Sequence, residues 1–423
     1  MINMVYPSDY ENKTGFDRIR AQVRGKCTTD GGRALLDGEG FSASAGEIAH
    51  RLSLCSELQE ILMLESGFPL QEYTDIGPVA RKIEVAGTFL DIEDMIALRA
   101  GLGAVNEITV FLAAKEEGRY PVLRGLAQGV ESFPEITGHI DTILDRYGKI
   151  KDSASPELYT IRRTIRDREG QVSKRLQAIL SKAQKDGYAD ADAAVSIRDG
   201  RAVIPVSAAN KRKINGFIHD ESATGKTFYI EPVEIVEINN ELKELEYAER
   251  REVVRILTAF TDRIRPDAPG IARAGEYLAC MDMIRAKARW AAENECVKPV
   301  LSEEGTLWLR SARHPLLRQT LAREGKQVVP LDLKLDRGRR MLVISGPNAG
   351  GKSVCLKTVG LLQYMFQCGF PVPVLENSEF PVFDGIFIDI GDEQSIDNDL
   401  STYSSHLLNM KHMLAGAGSG SLV

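Results

Sequence analysis

Eight consecutive residues carry the clearest chemistry in the chain. Gly346-Pro347-Asn348-Ala349-Gly350-Gly351-Lys352-Ser353 fits the pattern G-x-x-x-x-G-K-[ST]. Gly346, Gly350 and Gly351 let backbone N–H groups curl around phosphate oxygens without Cβ clashes. Lys352 places a point charge on the β- and γ-phosphates, and the Ser353 hydroxyl ligates Mg²⁺. A helix beginning near Lys352 would aim its positive end at the same anion. On ordinary composition, a chance match in a chain of this length has a probability of roughly 1–2%. The pattern predicts nucleotide binding with Mg²⁺; a purely structural glycine loop is the competing reading.

The elements around the loop can be read from periodicity. Met341–Ser345 is a short apolar run that predicts a buried parallel strand, and a further strand is expected near Gly385–Asp389. The first 150 residues read as short amphipathic helices: Ile48, Leu52, Leu54, Leu58 and Leu62 form one apolar series, and Leu90, Ile92, Met95, Ile96 and Leu98 another. Ser155-Pro156-Glu157 is a helix start, with Leu158, Ile161, Ile165, Val172, Leu176 and Ile179 marking one face to about residue 187. The pattern then changes to strands. A hairpin is predicted to turn at Asp199-Gly200, with two more strands at Ile214–Ile218 and Thr227–Ile230. After Glu231-Pro232 a helix of about 50 Å runs to Pro266, and another covers about Pro269 to Glu295. Two long helices around a β-rich insert describe an arm that reaches out and returns.

Composition bounds the class. The chain has 423 residues, 43% of them hydrophobic, with 53 Lys+Arg against 60 Asp+Glu and a net charge of −7. Those values exclude global disorder and a uniformly basic nucleic-acid coat, but not a local basic patch. Residues 158–213 hold thirteen Lys+Arg and six Asp+Glu, so this segment carries +7 and the remainder −14. Such a stretch, with Lys211, Arg212 and Lys213 at its end, suits phosphate-backbone contact, whereas a solvated helix face with i,i+4 pairs is the alternative. The acidic series Glu241, Glu244, Glu246, Glu249 and Glu252 reads as a solvated face.

Six scattered cysteines without a CxxC pair read as free thiols of a reducing compartment. With no eighteen-residue apolar run and no signal-peptide pattern, they predict a soluble cytoplasmic protein with no membrane partner. The six histidines form no ligand cluster. His219 reads as a turn residue rather than an acid or base, Tyr403 as packing rather than a base or ribose contact, and Cys355 as core rather than a thiol activated by a helix N-terminus.

The wording of the loop, GPNAGGKS, resembles the MutS family of DNA-binding ATPases. So do Ala312-Arg-His-Pro-Leu-Leu317 before it and the segment from Asp389-Ile-Gly-Asp-Glu-Gln-Ser to Ser-Ser-His406 after it. Arg198–Val206, Ile214–Ser222 and Tyr229–Pro232 are similar to the second bacterial branch, which lacks mismatch-reading domains. The resemblance implies an α/β multidomain protein: a helical core over residues 1–154, then lever helices over 155–299 with a β-rich clamp at about 188–231. A P-loop (ABC-type) ATPase domain over 300–423, incomplete at its C-terminus, would follow.

The resemblance further implies ATP and Mg²⁺ as cofactors, Gln394 at a Q-loop position and Ser401 reaching the nucleotide in trans across a homodimer. The implied function is clamping of branched or double-stranded DNA to restrain homologous recombination. Binding and splitting of collided ribosomes through rRNA is the alternative. An ATP-driven transporter subunit or chromosome-structuring ATPase would need an LSGGQ helix or long heptad arrays, which are not found, and a non-catalytic dimerisation scaffold is the plainest reading. The Walker B acid and base and the branch's nuclease domain are expected to lie outside this chain. Its catalytic residues are therefore unknown, and full hydrolysis is not expected from it. Leu331–Lys334 resembles the nuclease motif but, placed before the loop, reads as an ordinary strand.

Overall fold

The computed structural model describes residues 4–347, 350–390 and 399–423, with side chains of the last stretch described from residue 406. Along the chain come β1 (Met4–Tyr6), α1 (Tyr10–Thr14), α2 (Phe16–Arg24), α3 (Asp30–Gly38), α4 (Ala45–Leu64), α5 (Gly77–Glu84), α6 (Ile92–Ala113), α7 (Pro121–Ala127) and α8 (Pro134–Ile143). Then follow α9 (Pro156–Lys185), β2 (Ser196–Arg198), β3 (Arg201–Ser207), β4 (Gly216–Glu221), β5 (Thr227–Pro232) and α10 (Val233–Ile264). The remainder contains α11 (Ala268–Glu293), β6 (Val300–Leu301), β7 (Leu307–Ala312), α12 (Pro315–Arg323), β8 (Leu331–Leu335), α13 (Lys352–Gln367), β9 (Glu379–Phe380), β10 (Gly385–Phe387), α14 (Asp399–Gly416) and β11 (Ser421–Leu422). These elements give a mixed α/β architecture of two compact units, one from Met1–Arg81, Ala97–Pro134 and Ala268–Val423, the other from Lys82–Ile96 and Glu135–Asp267.

In the second unit, Ser155 caps α9 by accepting from Leu158 N at 3.0 Å, and Pro156 occupies the first helical position. Arg162 pairs with Glu249, Arg168 with Glu241, and Arg175 donates to Glu234 O. Rising numbers on α9 meet falling numbers on α10, so the two helices run antiparallel. At 1.5 Å per residue they are about 45 and 48 Å long. Beyond them lies an antiparallel sheet of order β2-β3-β5-β4. Its first hairpin turns with Asp199 at φ +48° and Gly200 at φ +72°, the left-handed pair that a two-residue turn between twisted strands requires. Ile204, Val206 and Ile230 on one sheet face close a core with Val172, Leu176 and Leu180 of α9 and Ile235 and Ile238 of α10. Each fully buried large aliphatic side chain contributes about 1.5–3 kcal/mol.

The first unit is built around α11, which is buried on nearly every side and packs against α3 and α4. Phe16 of α2 meets Tyr364 of α13 and, beyond that helix, Phe370 edge-on, both at 5.1 Å between ring centroids. A parallel sheet of order β1-β10-β11 and a mixed sheet of order β6-β9-β7-β8 complete the unit.

Two expectations need correction. The helices before residue 150 are not all short: α4 has 20 residues and α6 has 22, and the stretch also supplies β1. Helix α6 is long and apolar enough by composition to cross a membrane, a property it shares with core helices; Met95, Leu98, Leu102, Val105, Ile108 and Leu112 form its buried stripe. The second correction concerns Met341–Ser345, which is not a strand. It runs as irregular, solvent-exposed chain, Met341 being 92% and Val343 91% exposed. A strand exists only through its neighbours, and among the described residues no strand pairs with this run.

Candidate functional site

Helix α13 is held by its second half and free at its first. Gln363 donates to Pro381 O at 2.7 Å, Gln367 donates to Ser42 O at 2.9 Å and Phe383 O at 2.8 Å, and Tyr10 donates to Gly360 O at 3.0 Å. Gly360 has no room for a side chain, since a Cβ there would meet Tyr10 Oη at 2.9 Å. Anchored in this way, the helix presents an exposed N-terminus. Gly351 caps it at φ +81°, and Gly350 N donates to Pro347 O at 2.9 Å, which folds the preceding loop back on itself. Lys352 lies inside that curl, its Nζ donating to Gly346 O at 2.5 Å and Pro347 O at 2.7 Å. A Cβ at Gly350 would meet Pro347 O at 3.0 Å and the proline ring at 3.3 Å, so the curl accepts only glycine there without widening.

A lysine rests on two weak carbonyl acceptors at an open helix start, and the next residue, Ser353, is exposed. Of the residues singled out in the sequence, Lys352 meets Gly346 and Pro347, Gly350 meets Pro347, Gly351 caps the helix, and Ser353 is exposed in its first turn. Asn348, Ala349 and Gln394 lie outside the described residues. Ser401 and Tyr403 fall in α14, in the stretch whose side chains are not described. Cys355 is half-buried and burial pushes its thiol upward, against the activated-thiol reading.

At the far end of α9 and α10, the small sheet gathers cations beside aromatic rings. Lys211 sits over the Phe228 ring at 4.4 Å, and Arg198 over Tyr229 at 4.2 Å while pairing with Asp220 at 3.0 Å. Arg212 and Lys213 are exposed. The rest of the basic segment is less available than its charge count implies. Arg162 is shared between Asp152 and Glu249, Arg166 is bound to Asp152 and Arg168 to Glu241. The acidic series on α10 is correspondingly not a uniform solvated face. Glu244 and Glu246 are exposed, but Glu241 and Glu249 pair with α9, and Glu252 is buried, accepting from Ser155 at 2.5 Å and from Arg255.

His219 is not a turn residue either. It lies in β4 at the bulge between Ile218 and Asp220, with Nε2 2.6 Å from Glu231 Oε2. Glu231 is only 1% exposed; Arg201 donates to both its oxygens at 2.8 and 3.0 Å, and Asn239 donates to Oε1 at 2.7 Å. Burial pushes this carboxyl up, but the hydrogen bonds from Asn239, His219 and Arg201 outweigh it and hold it below its ordinary range. Glu231→Ala would strand Arg201 and His219 over a sheet with no counter-charge. It is expected to cost about 2–4 kcal/mol in thermal unfolding followed by circular dichroism, and an unchanged transition would show the network to be dispensable. Because the folded pKa is depressed, this stability is present above the carboxyl's ordinary pKa and is lost as pH falls through the folded value.

The profile of MutS domain V matches residues 342–423. Over 96% of its length the chain is similar to proteins named endonuclease MutS2. It is 34% identical to that of Geobacillus sp. (strain WCH70), 34% to that of Ligilactobacillus salivarius and 36% to that of Alkaliphilus metalliredigens. The chain belongs to the MutS family. Its relationship is to MutS2-type members, and it spans about half the length of these curated relatives.

Within the region matched to domain V, a polar cluster escapes sequence reading. Asp389, just past β10, accepts from Asn409 at 2.8 Å and lies 2.5 Å from His406 Nδ1. Tyr6 donates to Asn409 Oδ1 at 2.7 Å and its ring stacks on His412. A signal is available, since Asp389 and His406 are the two ends of the Asp389–His406 segment that carries the family resemblance. Weighing the histidines only against each other hides it, and no group of three metal-ligand residues forms among the described residues.

Proposed function

We propose that this chain binds ATP with Mg²⁺ through residues 346–353 and binds nucleic acid through its small sheet, as a homodimeric MutS-type ATPase acting on branched DNA. The observation that carries the nucleotide reading is the folded glycine loop, with Lys352 held inside it at the open start of a firmly anchored helix. In this reading the backbone N–H groups of Gly351 to Ser353 would bind phosphate oxygens, and Lys352 would exchange its two carbonyl partners for the β- and γ-phosphates. Mg²⁺ bound with the nucleotide supplies charge neutralisation between those phosphates, and Ser353 is the ligand this chain contributes. Gln394, together with Ser401 of the partner subunit, completes the site in this reading. Nucleotide at the dimer interface then biases the long helices that carry the sheet, and nucleic acid on the sheet biases nucleotide affinity in return. The names of the relatives add an endonuclease activity to those proteins; restraint of recombination is the role proposed for this one.

The nucleic-acid half is tested by fluorescence anisotropy of a labelled four-way junction against linear duplex over a salt series. Preference for the junction, weakening with salt, is expected. The triple charge reversal of Lys211, Arg212 and Lys213 to Glu should weaken binding by roughly 100-fold and flatten the salt dependence by about 0.9 for each phosphate no longer neutralised. Equal affinity for both DNAs would sink the branched-DNA proposal. Co-sedimentation of the same sample with ribosomes would then favour the alternative target.

A further inference from the structure

Alongside α13, about one helical turn beyond Ser353, a cavity of about 330 Å³ opens between the α1–α2 turn, the start of α12 and α13 itself. Gly15, at φ +85°, makes the turn that brings Lys13 and Arg18 to its rim; Lys357 enters from α13, and no aspartate or glutamate lines it. Several cations elsewhere are neutralised by carboxylates, as Arg162, Arg166 and Arg168 are on α9. The cavity has less of this. Lys13 reaches only Asp9, at 4.0 Å, and Arg18 and Lys357 form no ion pair among the described residues. Gathering three like charges around one concavity, in a chain with a net charge of −7, carries a repulsion that an anion would relieve.

His314, which also lines the cavity, has the same polarity. It caps α12, its Nδ1 accepting from Leu317 N at 3.5 Å, which leaves Nε2–H as a donor on the neutral ring. The ring stays neutral because burial, with the positive charges of Lys357 and Arg18, pulls its pKa down to about 4. Leu316 and Leu317 supply an apolar wall. The volume is at the lower end of small-ligand pockets, about 300–1,000 Å³.

We propose that this cavity is a second anion site, separate from the glycine loop, that takes a small phosphorylated compound of the polyphosphate or phosphate-ester class. It does not depend on the nucleotide reading of residues 346–353, because no residue of that loop lines it. The test uses inorganic pyrophosphate as probe, in calorimetric titration of the full chain carrying Lys352→Ala so that the loop is silenced. One-to-one binding is expected, weakened at least 30-fold when Arg18→Glu and Lys357→Glu are added. The milder pair Arg18→Gln and Lys357→Gln, checked for an unchanged Tm, serves if the reversal disturbs folding. No binding by the Lys352→Ala chain, or equal binding with and without the cavity substitutions, overturns the site. Displacement of pyrophosphate by short duplex DNA overturns the small-ligand assignment, since the cavity would then be reading a nucleic-acid backbone.

Discussion

Asp282→Ala is expected to destabilise the first unit by about 3–5 kcal/mol, a larger effect than that of Glu231→Ala. Asp282 and Arg285 lie one turn apart on α11, both fully buried, and pair at 2.9 Å. The carboxylate also accepts from the backbone N–H groups of Thr28 and Thr29, each at 2.8 Å, and from both threonine hydroxyls at 2.9 Å. The guanidinium donates to Gln71 O at 2.6 Å and lies 3.6 Å over the Tyr73 ring. Alanine would leave a buried cation and two buried backbone donors without their acceptor, the costly half of a broken buried pair. At roughly 2–4 °C per kcal/mol for a unit of this size, the melting temperature should fall by about 10 °C. A drop of less than about 2 °C would mean that water or a rearranged Arg285 replaces the carboxylate.

Lys352→Ala should act in the opposite manner, on binding and not on folding. Among the described residues the side chain hydrogen-bonds only to two carbonyl oxygens of an exposed loop, so the melting temperature should stay within about 1 °C. Nucleotide affinity should fall by roughly 100-fold or more, since about 2.8 kcal/mol of charge-assisted phosphate interaction is removed. Titration with a fluorescent ATP analogue measures both the wild-type constant and the loss. Unchanged affinity would remove residues 346–353 from the site. Gly350→Val gives a second route to the same answer: its Cβ would press on Pro347 and open the curl while leaving the lysine in place.

The loop is legible in the sequence because its residues are contiguous and their spacing is the chemistry. Helices α9 and α10 are legible because apolar residues recur every three or four positions and Pro156 and Pro266 punctuate them. The hairpin at Asp199-Gly200 is legible from turn chemistry alone. What stays hidden depends on partners far away in sequence. A strand of three residues such as β1 has no periodicity to read, and its pairing with β10 joins opposite ends of the chain. Asp282 and Arg285 at i,i+3 look like an ordinary solvated pair until Thr28 and Thr29 are placed against them. Met341–Ser345 misleads for the complementary reason: it has the composition of a buried strand, but composition does not supply neighbours. The bulge that turns His219 toward Glu231 lies beyond what alternation predicts, because it breaks the alternation.

The interleaving of the first unit sets a timetable for its synthesis. Tyr10 donates its hydrogen bond to Gly360 O, 350 residues downstream, and Phe16 packs on Tyr364 and Phe370. At 5–20 residues per second, a ribosome needs about 20–70 s to produce the partners that cover these rings. The stretch Glu135–Asp267, by contrast, holds most of the second unit in one continuous piece and can collapse while the remainder is still being made. A nascent chain halted before residue 360 would thus display a finished sheet-tipped helical pair attached to an N-terminal segment whose aromatic surface has nothing to close against, which makes that segment the natural point of capture by chaperones and of self-association.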